Sequence, residues 1–183
     1  MDKDSLLENI FGDIKNSQLA IYCGAGISYN SGLPIVNQLL DYLYRILELN
    51  NKEIGKLFET NIPFEWIIET LLIESEINEI KEIFINGSPN SNHYLIAGLA
   101  QKGWIKVIYT TNFDILLEKA MKNVGLVNGR DFKVYKTESE LKEIDWNEEI
   151  IKLIKIHGCA SEITEMAITL KQLTSNRYYD LRK

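Results

Sequence analysis

At 183 residues, with 45% hydrophobic and 25% charged residues, the sequence has the length and composition of one well-buried domain and is too short for two ordinary ones. A net charge of −6 argues against broad, nonspecific nucleic-acid binding, and no stretch approaches the length of an apolar membrane span, so neither partner is expected. The acidic start, Met1-Asp2-Lys3-Asp4, lacks the basic and apolar run of a secretory signal, and the widely spaced Cys23 and Cys159 suit free thiols in a reducing compartment, so a cytoplasmic location is expected.

In chain order, Ser5 to Asn16 places Leu6, Leu7, Ile10, Phe11 and Ile14 at helical spacing and predicts an amphipathic helix. Leu19 to Cys23 is a short apolar run bounded by turn residues, read as a buried strand ending at Gly24. Proline suits a first helical turn, so the next helix is predicted from near Pro34 through Leu39, Leu40, Leu43, Ile46 and Leu47. Between about Asn50 and Asn90 the pattern is helical, with Phe64 to Ile73 and Glu76 to Ile85 as its pieces. This stretch exceeds a usual crossover and reads as a small helical layer inserted beside the sheet, of the kind that covers ligands.

Ser91 to Lys102 follows as a helix stopped by Gly103, and Trp104 to Tyr109 as a second buried strand. Thr110-Thr111-Asn112-Phe113-Asp114 comes directly after it. A helix carrying Ile115, Leu116, Leu117, Ala120 and Met121 then ends near Gly125. The next region reads as irregular, and its acidic stretch, Glu138 to Glu149, as a solvated face and loop. Ile150 to Ile156 is a third strand ending at His157 and Gly158, and Met166 to Leu170 a candidate fourth. Alternation of strands and helices predicts an α/β fold, a Rossmann-like parallel sheet with helices on both faces and the inserted helical layer. Ligands collect at the carboxyl ends of such strands.

The turn Gly24-Ala25-Gly26-Ile27-Ser28 joins the first strand to a helix, where bare backbone N–H groups can hold a pyrophosphate. Alone it is weak evidence, because Tyr29 stands where the full dinucleotide fingerprint has its third glycine, and a simple structural turn has the same look.

Read together and in order, three motifs carry more. Gly24-Ala25-Gly26-Ile27-Ser28 with Ser31-Gly32-Leu33-Pro34, then Thr110-Thr111-Asn112-Phe113-Asp114, then Lys155-Ile156-His157-Gly158, resemble the sequential signature of the sirtuin family, and especially its bacterial sirtuin-like branch. The resemblance runs from about Leu19 to Gly158. It implies NAD as a substrate, with Gly24, Ala25, Gly26, Ser28 and Pro34 in its binding loop and the pyrophosphate nearest Ala25, Gly26 and Ser28. It also implies that Thr111 borders the nicotinamide ribose, that Asn112 contacts the ribose or orders a water, that Asp114 seats the carboxamide, and that His157 is the general base.

Those residue types suit cleavage of the nicotinamide–ribose bond. A neutral amide such as Asn112 both donates and accepts, and an imidazole titrates near neutral pH. Other readings stand beside these: Asn112 and Asp114 are also common helix caps, and His157 can be a structural histidine before glycine. His93 is read as structural.

Sirtuin deacylases usually carry a zinc module held by four cysteines in paired spacing; with two cysteines, this sequence is expected to bind no zinc in that way. The run after Pro34, Ile35-Val36-Asn37-Gln38-Leu39-Leu40, matches the bacterial sirtuin-like group instead. That group is associated with NAD hydrolysis in antiphage defence, commonly within a longer protein or complex, which implies a homo-oligomer or a partner defence protein. Protein deacylation, ADP-ribosyl transfer and non-catalytic sensing of NAD or ADP-ribose are the alternatives. The family also continues past the histidine into a glycine-serine loop that is not found before Lys183, so residues 1–183 read as one domain truncated at its C-terminus, with 50–90 as an insertion within it.

Overall fold

The computed structural model describes residues 19–46, 48–60, 62, 66–67, 83–162 and 166–167. Among them, four short runs rich in branched and aromatic residues form one parallel sheet: β1 (Leu19–Cys23), β2 (Ile105–Thr110), β3 (Phe132–Tyr135) and β4 (Ile151–Lys155), in the order β1-β2-β4-β3. The helices are α1 (Val36–Ile46), α2 (Asn51–Glu59), α3 (Ser91–Gln101), α4 (Leu116–Asn123) and α5 (Glu138–Lys142), and a 3-10 turn covers Ala25–Ser28.

Side chains of successive strand residues point to opposite faces, and both faces of this sheet are covered. On one, Ile96, Ala97 and Ala100 of α3 and Leu117, Ala120 and Met121 of α4 pack on Ile105, Ile108, Phe132, Ile151 and Leu153. On the other, Leu141 of α5 packs with Tyr135 and Ile154, joined by the partly buried Val107 and Tyr109. The chain is therefore an α/β protein. In β2, Ile105 pairs with Leu19 but Val107 pairs with Ala20; Lys106 is the extra residue, which lets Ile105 and Ile108 reach the same core.

Helix ends follow local chemistry. Asn50, Asn90 and Thr137 each cap the following helix through side-chain oxygens in reciprocal capping boxes. Gly103, just past the end of α3, has φ of 76°, a left-handed conformation that glycine adopts without strain.

Three expectations change. The region after Gly125, read as irregular, contains strand β3 and helix α5. Lys133 and Lys136 break the apolar run there, and the strand declares itself only by pairing with β4, where Phe132 and Tyr135 become fully buried. The expected fourth strand at Met166 to Leu170 is not seen in its described part: Met166 and Ala167 are buried but lie outside any strand, and 168–170 fall outside the described residues. Finally β1, read as buried, borders the described sheet and alternates, with Tyr22 65% exposed.

The helix expected at Ser5 to Asn16 lies outside the described residues, as does most of Phe64 to Ile73 and Glu76 to Ile85. Within 50–90 the described parts include α2, whose Ile54 packs on Leu40 and Tyr44 of α1, and a helical turn at 83–85. No described helix is long and apolar enough to cross a membrane.

Candidate active site

Cys23, Thr110 and Lys155, the last residues of β1, β2 and β4, occupy one row of the sheet. The Thr111 N–H donates to the Cys23 carbonyl (3.2 Å) and the Ile156 N–H to the Thr110 carbonyl (2.9 Å), carrying the pairing one step past the strands. Neighbouring strands lie about 4.8 Å apart, so the three motifs leave the sheet side by side, within roughly 10 Å.

The glycine turn comes first. Gly24 is extended, and its carbonyl accepts the Ile27 N–H, tightening Ala25–Ser28 into one 3-10 turn. Gly26 does not adopt positive φ, and a β-carbon built there would meet nothing within 4 Å. The fold itself thus has no need of glycine at 26; what its absence of a side chain leaves open is the approach to the backbone. Among the described residues, the N–H groups of Ala25 and Gly26 donate to no backbone carbonyl.

Behind this turn, a buried polar network joins residues far apart in the chain. The Ser28 hydroxyl donates to Asp114 Oδ2 (2.8 Å), accepts from Asn112 Nδ2 (3.1 Å) and lies 3.3 Å from His93 Nε2. Asp114 Oδ1 accepts the Leu116 N–H (3.0 Å) in an Asx turn, so one carboxylate both shapes the entry to α4 and orders the serine. Thr110 Oγ1 accepts the Asn112 N–H (3.0 Å) and shapes the turn that presents its carboxamide. Asn112 and Asp114 are 8% and 6% exposed.

The third motif enters from β4. Gly158, with φ of 83°, turns the chain sharply after His157, and the His157 carbonyl accepts the Ala167 N–H (2.8 Å). The imidazole packs against Phe113 with ring centroids 6.3 Å apart, and Phe113 in turn meets Phe84 at 5.7 Å. Lys155, fully buried, donates to the Asp114 carbonyl and to Glu118 Oε1 (2.9 Å), tying the end of β4 to the start of α4. Burial alone would pull this ammonium down, but Glu118 opposes it, aided by Cys159 and Asp114, and its pKa is raised overall.

These segments enclose a cavity of about 540 Å³, within the usual range for small-molecule sites. Ala25, Gly26, Ser28 and Pro34 from the first motif, Thr111, Asn112 and Asp114 from the second and His157 from the third all line it. Gly24 does not; it stands behind the turn it starts. Apolar walls come from Leu33, Ile35, Val36, Phe84 and Phe113. Among the described residues, no group of three or more His, Cys, Asp or Glu side chains is placed to hold a metal ion.

A family profile described as SIR2-like domain matches residues 106–182. The chain is 27% identical over 172 residues to an NAD(+) hydrolase ThsA of Acinetobacter baumannii, covering 93% of this chain and 33% of that protein. An NAD(+) hydrolase ThsA of Enterococcus faecium is 26% identical over 92% of this chain and 34% of its own length. An NAD-dependent protein deacetylase of Clostridium perfringens is 30% identical over 73% of this chain and 52% of its own length. The chain is sirtuin-like, with the SIR2-like match lying over residues 106–182. It spans about a third of the two hydrolases it resembles and about half of the deacetylase.

Several residues of this sirtuin-like site escape sequence reading. Phe84 reaches the cavity from a helical piece whose periodicity says only that it packs on something. His93, read as structural, touches Ser28. A signal for it existed, since Asn90 followed three residues later by His93 has the spacing of a capping box.

Proposed function

We propose that this chain is the catalytic domain of an NAD glycohydrolase, which cleaves NAD with water to nicotinamide, ADP-ribose and a proton. The observation that carries the reading is the meeting of Asn112, His157 and the open backbone at Gly26 on one cavity at the ends of three adjacent strands. Similarity to two NAD(+) hydrolases over more than nine-tenths of the chain supports it.

The pyrophosphate lies against the Ala25–Ser28 turn, where small residues admit it. The nicotinamide ribose lies against Thr111 to Asp114. As the glycosidic bond lengthens, positive charge develops at the anomeric carbon and nicotinamide leaves as a neutral ring that needs no acid. The Asn112 carboxamide, held by Ser28, orients the ribose or the attacking water, and His157 takes the proton that water gives up. Asp114 holds the serine and seats the carboxamide of nicotinamide. Apolar walls at Leu33, Phe84 and Phe113 limit the water that reaches the cation. A role in antiphage defence, inside the cytoplasm and under control of assembly or a partner, completes the reading; the buried free thiols Cys23 and Cys159 suit a reducing compartment.

Similarity to NAD-dependent deacylases favours a second reading, in which an acyl oxygen replaces water as the acceptor. Incubation with NAD, with and without an acetylated peptide, followed by chromatography of nicotinamide and ADP-ribose, separates the two. Hydrolysis is expected without peptide, abolished by Asn112→Ala and lowered about a hundredfold or more by His157→Ala. Full turnover in both variants would remove the site assignment, release only with peptide would replace hydrolysis by deacylation, and tight NAD binding without product would leave a sensor.

A further inference from the structure

The side chain of His93 is wholly buried behind the cavity wall and no part of it lines the cavity, yet it sits at the centre of the contacts that hold Ser28. Proton counting decides what it does there. A serine hydroxyl has one proton to give and two lone pairs to receive with. Ser28 gives its proton to Asp114 Oδ2 and receives Asn112 Nδ2 on one lone pair, so the second can only receive an N–H from His93 Nε2.

The other end of the ring agrees. The Asn90 N–H, at the cap of α3, points at His93 Nδ1 (3.2 Å), which must then be the bare nitrogen. The Asn90 side-chain oxygen, 2.9 Å from Nδ1, is already supplied by the N–H groups of Asn92 and His93 and asks for no ring proton. With the proton on Nδ1 instead, Nε2 would claim the only proton of Ser28 and leave Asp114 Oδ2 facing a lone pair in a buried site. Which nitrogen of a histidine carries the proton is set by what its other nitrogen meets. Asn90 also donates through Nδ2 to the carbonyls of Ile27 (2.8 Å) and Tyr29 (2.7 Å), so the same helix start grips the glycine turn on both sides of Ser28.

We infer that His93 is a positioning residue for the NAD-cleaving site: the α3 cap fixes its proton on Nε2, that proton holds Ser28, and Ser28 aims the Asn112 carboxamide. The inference rests on the reading of Asn112 given above.

The test is a double-mutant cycle in the full chain, with wild type, His93→Leu, Ser28→Ala and the double variant, plus His93→Gln, whose amide can donate to Ser28 and accept from Asn90. His93→Leu is expected to lower kcat for nicotinamide release roughly tenfold, the worth of one hydrogen bond to a buried group, with KM changed less than about threefold. His93→Gln should recover most of the loss, and in the Ser28→Ala background His93→Leu should cost less than about twofold. A loss of equal size in both backgrounds, or a Gln variant no better than Leu, would overturn the inference. Nitrogen-15 resonances of the wild-type imidazole supply a readout independent of turnover and of any variant's folding: a proton on Nε2 is expected, and one on Nδ1 would overturn it. If wild type releases no nicotinamide, the hydrolase reading falls, and the cycle is read on the NAD dissociation constant by calorimetry, where the same non-additivity is required.

Discussion

With its one proton committed to Asp114 2.8 Å away, the Ser28 hydroxyl takes its remaining order from Asn112 and His93, and titration of His93 therefore bears on stability. Burial holds the His93 imidazole below the ordinary histidine range, against the opposing pull of Asp114 and Glu118. The unfolded chain accordingly takes up this proton at higher pH than the folded one. Stability linked to the site is fully present above the unfolded value, about 6.5, and is lost as pH falls from there through the folded value. Glutamine cannot titrate, so urea midpoints of wild type and His93→Gln should move in the variant's favour on going from about pH 7.5 to about 5.5. A gap independent of pH would show that folding leaves the affinity of His93 for its proton unchanged.

At the scale of elements, the buried pair Lys155–Glu118 fastens β4 to α4 and so sets the distance between the His157 turn and the Asn112 turn. Lys155 is fully buried and Glu118 nearly so; among the described residues, the second carboxylate oxygen of Glu118 has no partner. Removing one partner strands the other charge, which typically costs about 3–5 kcal/mol, whereas replacing both with apolar groups of similar volume is often close to neutral. Lys155→Met should therefore destabilise the chain by about that amount in urea denaturation, and adding Glu118→Leu should restore a good part of the loss. Equal losses in the single and double variants would mean that the Lys155 bond to the Asp114 carbonyl, and not the ion pair, matters to the fold.

For the whole molecule, the proposed hydrolysis calls for control, because an NAD hydrolase without restraint would deplete the cell that makes it. Phe84 brings the helical turn at 83–85 to the cavity wall, and Ile83, Phe84 and Ile85 pack with Leu39 and Leu43 of α1. A shift of that turn on assembly would alter the cavity directly. If assembly governs the site, nicotinamide release per unit protein should rise with concentration across an about hundredfold dilution series, since self-association follows mass action. Constant specific activity would argue against assembly and leave a partner or ligand as the control.

Read alone, the residues from Leu19 to Gly158 determined the alternation of strands and helices and the placing of three polar motifs at strand ends. Those signals are local: apolar runs five or six residues long, prolines and glycines at helix boundaries, and periodicity along one segment. Strand β3 escaped because four residues interrupted by lysine carry no such signal until β4 pairs with them. Only the tertiary structure decided that Cys23, Thr110 and Lys155 share a row, that Ser28 meets His93 and Asp114 across 65 and 86 residues of chain, and that Phe84 closes the cavity. Strand order and side-chain contacts between distant segments are set by how whole faces pack, and no window of sequence contains both sides of such a contact.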